Sequence, residues 1–342
     1  VKPLAGEHTP EDLGPIAQFS MNFALEFRAV RKKYGRRMAL DGLDLQVPAG
    51  SVFGLVGSNG AGKTTAMAVA AGLLRISGGE VKVLGAGFFH PAEAAGRLAL
   101  LPQDSRLPPH GRVAELLEYY ASLQGLAPAA RKKCVAQILA WTNLEDRADS
   151  RVRTLSHGMA RRLAIAQAFL GEPELILLDE PLSGLDPRES ARIRSMITEK
   201  RGTRTIVISS HILSDIELMC DHVAFVEKGR LVRQTTVERA TGRSDVIAYL
   251  LGAGSPPVER LKTELPECAI EWEQAGRVLK VRSSNRRLSV PQINETVCRA
   301  LFESGVELVE IRCGSSLERA YFEATAEAVT PRPSPPGAGA RP

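Results

Sequence analysis

Several features are scarce in the 342-residue chain. It has five cysteines, Cys134, Cys220, Cys268, Cys298 and Cys313, with no CxxC spacing and no histidine cluster beside them. This excludes a disulfide-framed miniprotein and a cysteine metal site, and reads as incidental thiols in a reducing compartment. No apolar run approaches the roughly 18 residues that cross a bilayer, so a fused membrane span is not expected. No charge sign dominates. Lys and Arg number 44 and Asp and Glu 39, and the net +5 is too mild to argue for a polyanion; no nucleic-acid partner is expected. The opening VKPLAGEHTPEDLGPIAQFS lacks an apolar core and carries acids and prolines, so it does not read as a secretory signal. What remains is 44% hydrophobic and 24% charged, the composition of a globular protein.

Strand-like and helix-like patterns alternate from Phe23 to about Leu231. SVFGLVG, VKVLG, LALLP, ELILLDE, TIVISS and HVAFVE are short and mostly apolar. Such runs predict strands buried on both faces, as in an α/β sheet. RVAELLEYYASLQGL and RESARIRSMITEK read as helices, the second just after Pro187. Beyond residue 240 the order becomes strand, helix, strand, strand, helix, strand, which predicts a small α+β domain of ferredoxin-like order. TPRPSPPGAGARP closes the sequence and reads as disordered.

Gly57-Ser58-Asn59-Gly60-Ala61-Gly62-Lys63-Thr64 fits G-x-x-x-x-G-K-T between an apolar strand and a helical run. Its glycines let backbone amides curl around phosphate oxygens, and the helix N-terminus adds partial positive charge. Lys63 is expected at the β- and γ-phosphates, and Thr64, backed by Thr65, on Mg²⁺. A chance match in a glycine-rich turn would not bring this strand–loop–helix context. A phosphate loop of this kind needs a carboxylate on a second buried strand. Asp179 ends ELILLD, and Glu180 follows where it can polarise a water in line with the γ-phosphate.

These motifs, with five more in order, resemble the nucleotide-binding subunit of an ATP-binding-cassette (ABC) transporter from about Phe23 to Val232. Tyr34 stands where the family stacks an aromatic on adenine. Gln103 matches the glutamine that touches Mg²⁺ and the attacking water. Leu155-Ser156-His157-Gly158-Met159 resembles the signature LSGGQ, Ser183-Gly184-Leu185-Asp186 the dimer-contacting D-loop, and His211 the switch histidine. The departures are Ser58 for a frequent proline, and His157 and Met159 for glycine and glutamine. His157 is expected to resist a positive φ.

The resemblance implies a P-loop NTPase cassette, an α/β fold with a RecA-like core and a helical subdomain over about 104–170. The implied division is a flexible extension over 1–20, an ABC ATPase domain over 21–238, an accessory α+β domain over 239–326 and a disordered tail over 327–342. Met21 opens the first patterned segment. ATP and Mg²⁺ are the implied ligands, with Thr64, Gln103 and Asp179 toward the metal. The implied catalytic set is Glu180, His211, Gln103 and Lys63. The implied partners are a second cassette and separate transmembrane permease subunits, which would hold the chain at the inner face of the cell membrane. VAELLEYYASLQGL and SSLERAYFEAT resemble the drug- and antibiotic-exporter branch. A non-transport cassette ATPase, a weakly hydrolysing member of an asymmetric pair and an importer subunit remain open at this point.

Overall fold

A computed structural model describes residues 23–90, 96–242, 246–283, 288–313 and 316–329. The extension expected over 1–20, Met21 and the segment after 329 lie outside these residues. Two compact units emerge. Among the described residues, one runs to Thr235 and takes in those from Ala324; the other lies within Thr236–Glu323.

The first unit opens with β1 (Phe23–Tyr34) and β2 (Arg37–Pro48), a long antiparallel pair. Then come β3 (Val52–Val56), α1 (Lys63–Ala70), β4 (Gly78–Val83) and β5 (Leu98–Leu101). Three helices follow: α2 (Val113–Leu123), α3 (Pro128–Thr142) and α4 (His157–Phe169). The chain returns through β6 (Leu175–Asp179), α5 (Pro187–Glu199), β7 (Thr205–Ser210), α6 (Leu213–Met219), β8 (His222–Glu227) and β9 (Arg230–Thr236).

Two sheets result, one of order β2-β1-β4 and one of order β5-β6-β7-β3-β8-β9. In the larger sheet β5, β6, β7, β3 and β8 run parallel. Every residue of β3, β6 and β7 is buried, as near-continuous apolar strands require when helices cover both faces. Since these strands are parallel, their C-terminal ends lie along one edge, where an α/β sheet binds its ligands. Val56, Asp179 and Ser210 end β3, β6 and β7, and β3–β7 and β6–β7 are direct neighbours. The phosphate loop, the acidic pair and His211 therefore emerge side by side.

The second unit begins with α7 (Val237–Thr241), capped by Thr236, whose hydroxyl accepts from the Arg239 amide at 3.2 Å. This cap starts the second unit ahead of the 238/239 boundary read from the sequence. Then follow β10 (Val246–Leu251), α8 (Val258–Glu264), β11 (Cys268–Glu273), β12 (Val278–Ser283), α9 (Val290–Glu303) and β13 (Leu308–Cys313). The sheet order β11-β12-β10-β13, with all pairs antiparallel, is that of the split βαβ, ferredoxin-like fold. Tyr249, Leu279, Val281, Val297 and Leu301 fill its core. The last helix, α10 (Leu317–Val329), continues past the expected boundary at 326, because Ala and Glu there favour helix and the prolines begin only at Pro331. Among the described residues, no helix is long and apolar enough to cross a membrane.

Candidate functional site

The phosphate loop joins β3 to α1. Its first glycine, Gly57, is buried, and a Cβ there would collide with the Val226 carbonyl of β8. Its last, Gly62, is the N-cap of α1 at φ +109°, a conformation that L side chains rarely adopt. No side chain caps α1, which leaves its first amides available to an anion. Asn59 and Gly60 are exposed and Ala61 is buried. The Ser58 hydroxyl donates to Glu227 Oε1 at 2.7 Å, so the residue in the place of the frequent proline ties the loop to β8. Thr64 is exposed at the start of α1 and Thr65 half-buried behind it.

Lys63 is 6% exposed. Its ammonium donates to the Gly57 carbonyl at 2.8 Å and the Ser58 carbonyl at 3.2 Å, and lies 3.9 Å from Glu180 Oε1. These bonds hold the cation inside the curl of the loop. Asp179, 1% exposed, accepts from the Ser209 hydroxyl of β7. The Ser209 oxygen in turn accepts the Glu180 amide at 2.9 Å. Glu180 is buried, adopts φ +47° and places Oε2 2.9 Å from His211 Nδ1. The structure thus brings Lys63, Asp179, Glu180 and His211 to one strand edge. His211 is exposed on its other side.

Tyr34 ends β1 opposite Arg37, with its ring exposed and the Lys32 ammonium 5.1 Å from the ring centre. The Arg37 guanidinium lies 3.4 Å from where a Cβ on Gly60 would stand, so this hairpin borders the phosphate loop. Gln103 is exposed after β5; its carbonyl accepts from Arg161 at 3.3 Å.

The signature residues open α4. Ser156 is the N-cap, and its hydroxyl accepts the Met159 amide at 3.2 Å. His157 is the first helical residue and does not take a positive φ, which corrects the strain expected there. The helix begins at the first signature glycine position itself, so a residue with a Cβ fits there. Gly158 is buried against α5, where an added Cβ would stand 2.7 Å from Glu189 Cγ. Leu155 and Met159 are half-buried. In the D-loop, Ser183 and Gly184 are exposed and Leu185 half-buried. Asp186 caps α5, accepting the Arg188 and Glu189 amides at 2.9 Å each.

Two arginines of α4 were not singled out by the sequence. Arg161 donates to the carbonyls of Glu180 at 2.7 Å, Pro181 at 2.8 Å, and Gln103 and Asp179 at 3.3 Å. Burial lowers its pKa, opposed by the charges of Asp179, Asp104 and Glu180, and it remains a cation. Arg162, 3% exposed, pairs with Glu189 at 3.1 Å and donates to the Thr142 and Asn143 carbonyls at the end of α3. A backbone-directed arginine carries no sequence motif; the only trace is the doubled Arg after the signature.

The set of oxygens suits a hard cation carried with a nucleotide: a threonine hydroxyl at the first turn of α1, a buried carboxylate and an exposed amide. Among the described residues, no group of three or more His, Cys, Asp or Glu side chains is placed to hold a metal ion on its own.

The family model described as ABC transporter matches residues 40–183. The chain is 36% identical over 264 residues to the Nod factor export ATP-binding protein I of Cupriavidus metallidurans, covering 76% of this chain and 86% of that protein. A solved ATP-binding subunit of an ABC transporter is 27% identical with a TM-score of 0.57, covering 65% of this chain and 93% of the other. A solved structure described as cbiO1 from Clostridium perfringens, part of the ABC transporter complex cbiONQ, shares the fold at TM-score 0.59 and 24% identity, over 71% of this chain and 96% of its own. At this identity and coverage the chain belongs to the ABC transporter family, as an ATP-binding subunit with ATPase activity.

Proposed function

We propose that this subunit powers an exporter, through two cassettes that close head to tail over ATP and separate permease subunits that carry the substrate. The phosphate loop with Lys63 holds the phosphates of ATP, and Tyr34 flanks the base. Ser156 and Gly158 of the second cassette cover the same nucleotide, so ATP contacts the closed pair more fully than the open one and shifts the population toward closure. The name of the Cupriavidus relative supports the direction of transport. The permease contact places the subunit at the inner membrane face. Thr64, Asp179 and Gln103 would hold Mg²⁺, which neutralises charge on the phosphate oxygens when bound.

Glu180 takes the proton of the attacking water, and His211 orients the Glu180 carboxylate and faces the γ-phosphate. Lys63 stabilises charge on the transferred group, a reaction in which positioning and electrostatics supply most of the catalysis. The observation that carries this reading is Glu180 itself, buried with its carboxylate 2.9 Å from His211 and 3.9 Å from Lys63. Glu180→Gln tests it. ATP binding is expected to persist, turnover to fall by about 10² to 10⁴-fold, and ATP to trap a dimer. Near-normal hydrolysis by this variant sinks the assignment of the base. For the partner, affinity purification from detergent-solubilised membranes is expected to recover a multi-span permease; recovery of ribosomes in its place overturns the transport reading.

A further inference from the structure

Arg161 has no part in that mechanism, yet its guanidinium reaches the backbone of two motif segments at once. Nη2 donates to the carbonyls of Glu180 and Asp179, Nε to that of Pro181, and Nη1 to that of Gln103. The residue lies in the second turn of α4, the helix that Ser156 caps. The planar fork of a guanidinium has five N–H donors in fixed directions, so it sets the orientation of the peptide groups it binds. A lysine ammonium offers three donors from a single atom and cannot span the same set.

The backbone it binds needs holding. Glu180 takes φ +47°, a left-handed conformation that a non-glycine residue keeps only where its surroundings enforce it. On the amide side the support is the Ser209 hydroxyl; on the carbonyl side it is Arg161 at 2.7 Å, joined by the Ser183 amide at 3.2 Å. Together they fix the peptide planes on both sides of Glu180, and hence the direction of its carboxylate. Because Arg161 is rooted in α4, a movement of α4 relative to the sheet pulls on those planes and on Gln103.

We infer that Arg161 is a positioning residue: it holds Glu180 in its catalytic orientation and links that orientation to the signature helix. The inference rests on Glu180 being the base. Its test is the full chain carrying Arg161→Ala, Arg161→Lys, Glu180→Gln and the Arg161→Ala/Glu180→Gln pair. Melting curves, ATP affinity and steady-state kcat and KM are measured for each, the Ala variant also with added guanidine. Arg161→Ala is expected to keep its ATP affinity within about twofold while kcat falls about 10 to 100-fold. Arg161→Lys recovers part of kcat, guanidine raises the rate of the Ala variant, and the pair is no slower than Glu180→Gln alone. A normal kcat in folded Arg161→Ala, a loss carried by ATP affinity, additive losses in the pair, or failure of both Arg161 variants to fold each overturns the inference. Full hydrolysis by Glu180→Gln alone defeats the assignment of the base, whatever Arg161 does.

Discussion

The phosphate loop and the signature segment are both glycine-bearing turns into a helix, but their glycines answer to different neighbours. In the loop, Gly57 and Gly62 are dictated by their own chain, through the Val226 carbonyl and a φ of +109°. Lys63 is already drawn into the curl by two carbonyls. In the signature, the first glycine position carries His157, and Gly158 is packed against Glu189 of α5. Ser156 and His157 face outward. On the proposed reading the loop binds nucleotide within its own chain, and the signature is a capped helix end that meets it from a second cassette. Substitutions in the first should act on ATP binding by the monomer; substitutions in the second should act on closure and stability.

Lys63→Ala tests the first half and carries the largest expected effect. It removes the ammonium and both bonds that shape the loop. ATP affinity and turnover are each expected to fall by about 10²-fold or more, measured by titration and steady-state hydrolysis. Unchanged affinity in the monomer would remove the lysine from the site and end the contrast.

The loop was legible because its chemistry demands particular residue types at fixed spacing between a strand and a helix. The alternating β-strands of the second unit were legible for a similar reason: Ile247, Tyr249 and Leu251 are buried while their neighbours are not. The order β11-β12-β10-β13 then follows from the fold family, not from the strands one by one. Arg161 was not legible, because donors to backbone carbonyls leave no side-chain partner in the sequence. The strain expected at His157 came from the glycine that the family signature has there; as the first residue of α4, the histidine takes no positive φ. Thr236 is a good N-cap, but β9 runs directly into α7 without a glycine or proline between them, so little in the sequence marks the start of the second unit.

Gly158→Ala sharpens the second half. The new methyl would stand 2.7 Å from Glu189 Cγ and 3.0 Å from Glu189 Cδ. Glu189 must then shift away from Arg162, a buried cation whose carboxylate partner lies at 3.1 Å. A loss of about 1–3 kcal/mol in stability is expected, read as a lower melting temperature, with ATP affinity of the monomer within about twofold. A large loss of monomer affinity would mean that α4 serves the nucleotide of its own chain.

His157→Gly is expected to change least. His157 starts α4 in an ordinary helical conformation, so glycine there relieves no strain and costs only the backbone entropy of one helix position, about 0.5–1 kcal/mol. The imidazole Nε2 lies 3.6 Å from where a Cβ on Gly184 would stand, so the ring covers the D-loop backbone of its own chain. Removing it uncovers that backbone without unpairing a buried group. Turnover at saturating ATP is expected to stay within about twofold or to rise. A drop of tenfold or more, with folding intact, would show that the histidine itself acts between the signature and the D-loop, and that the outward half of the site is as closely specified as the phosphate loop.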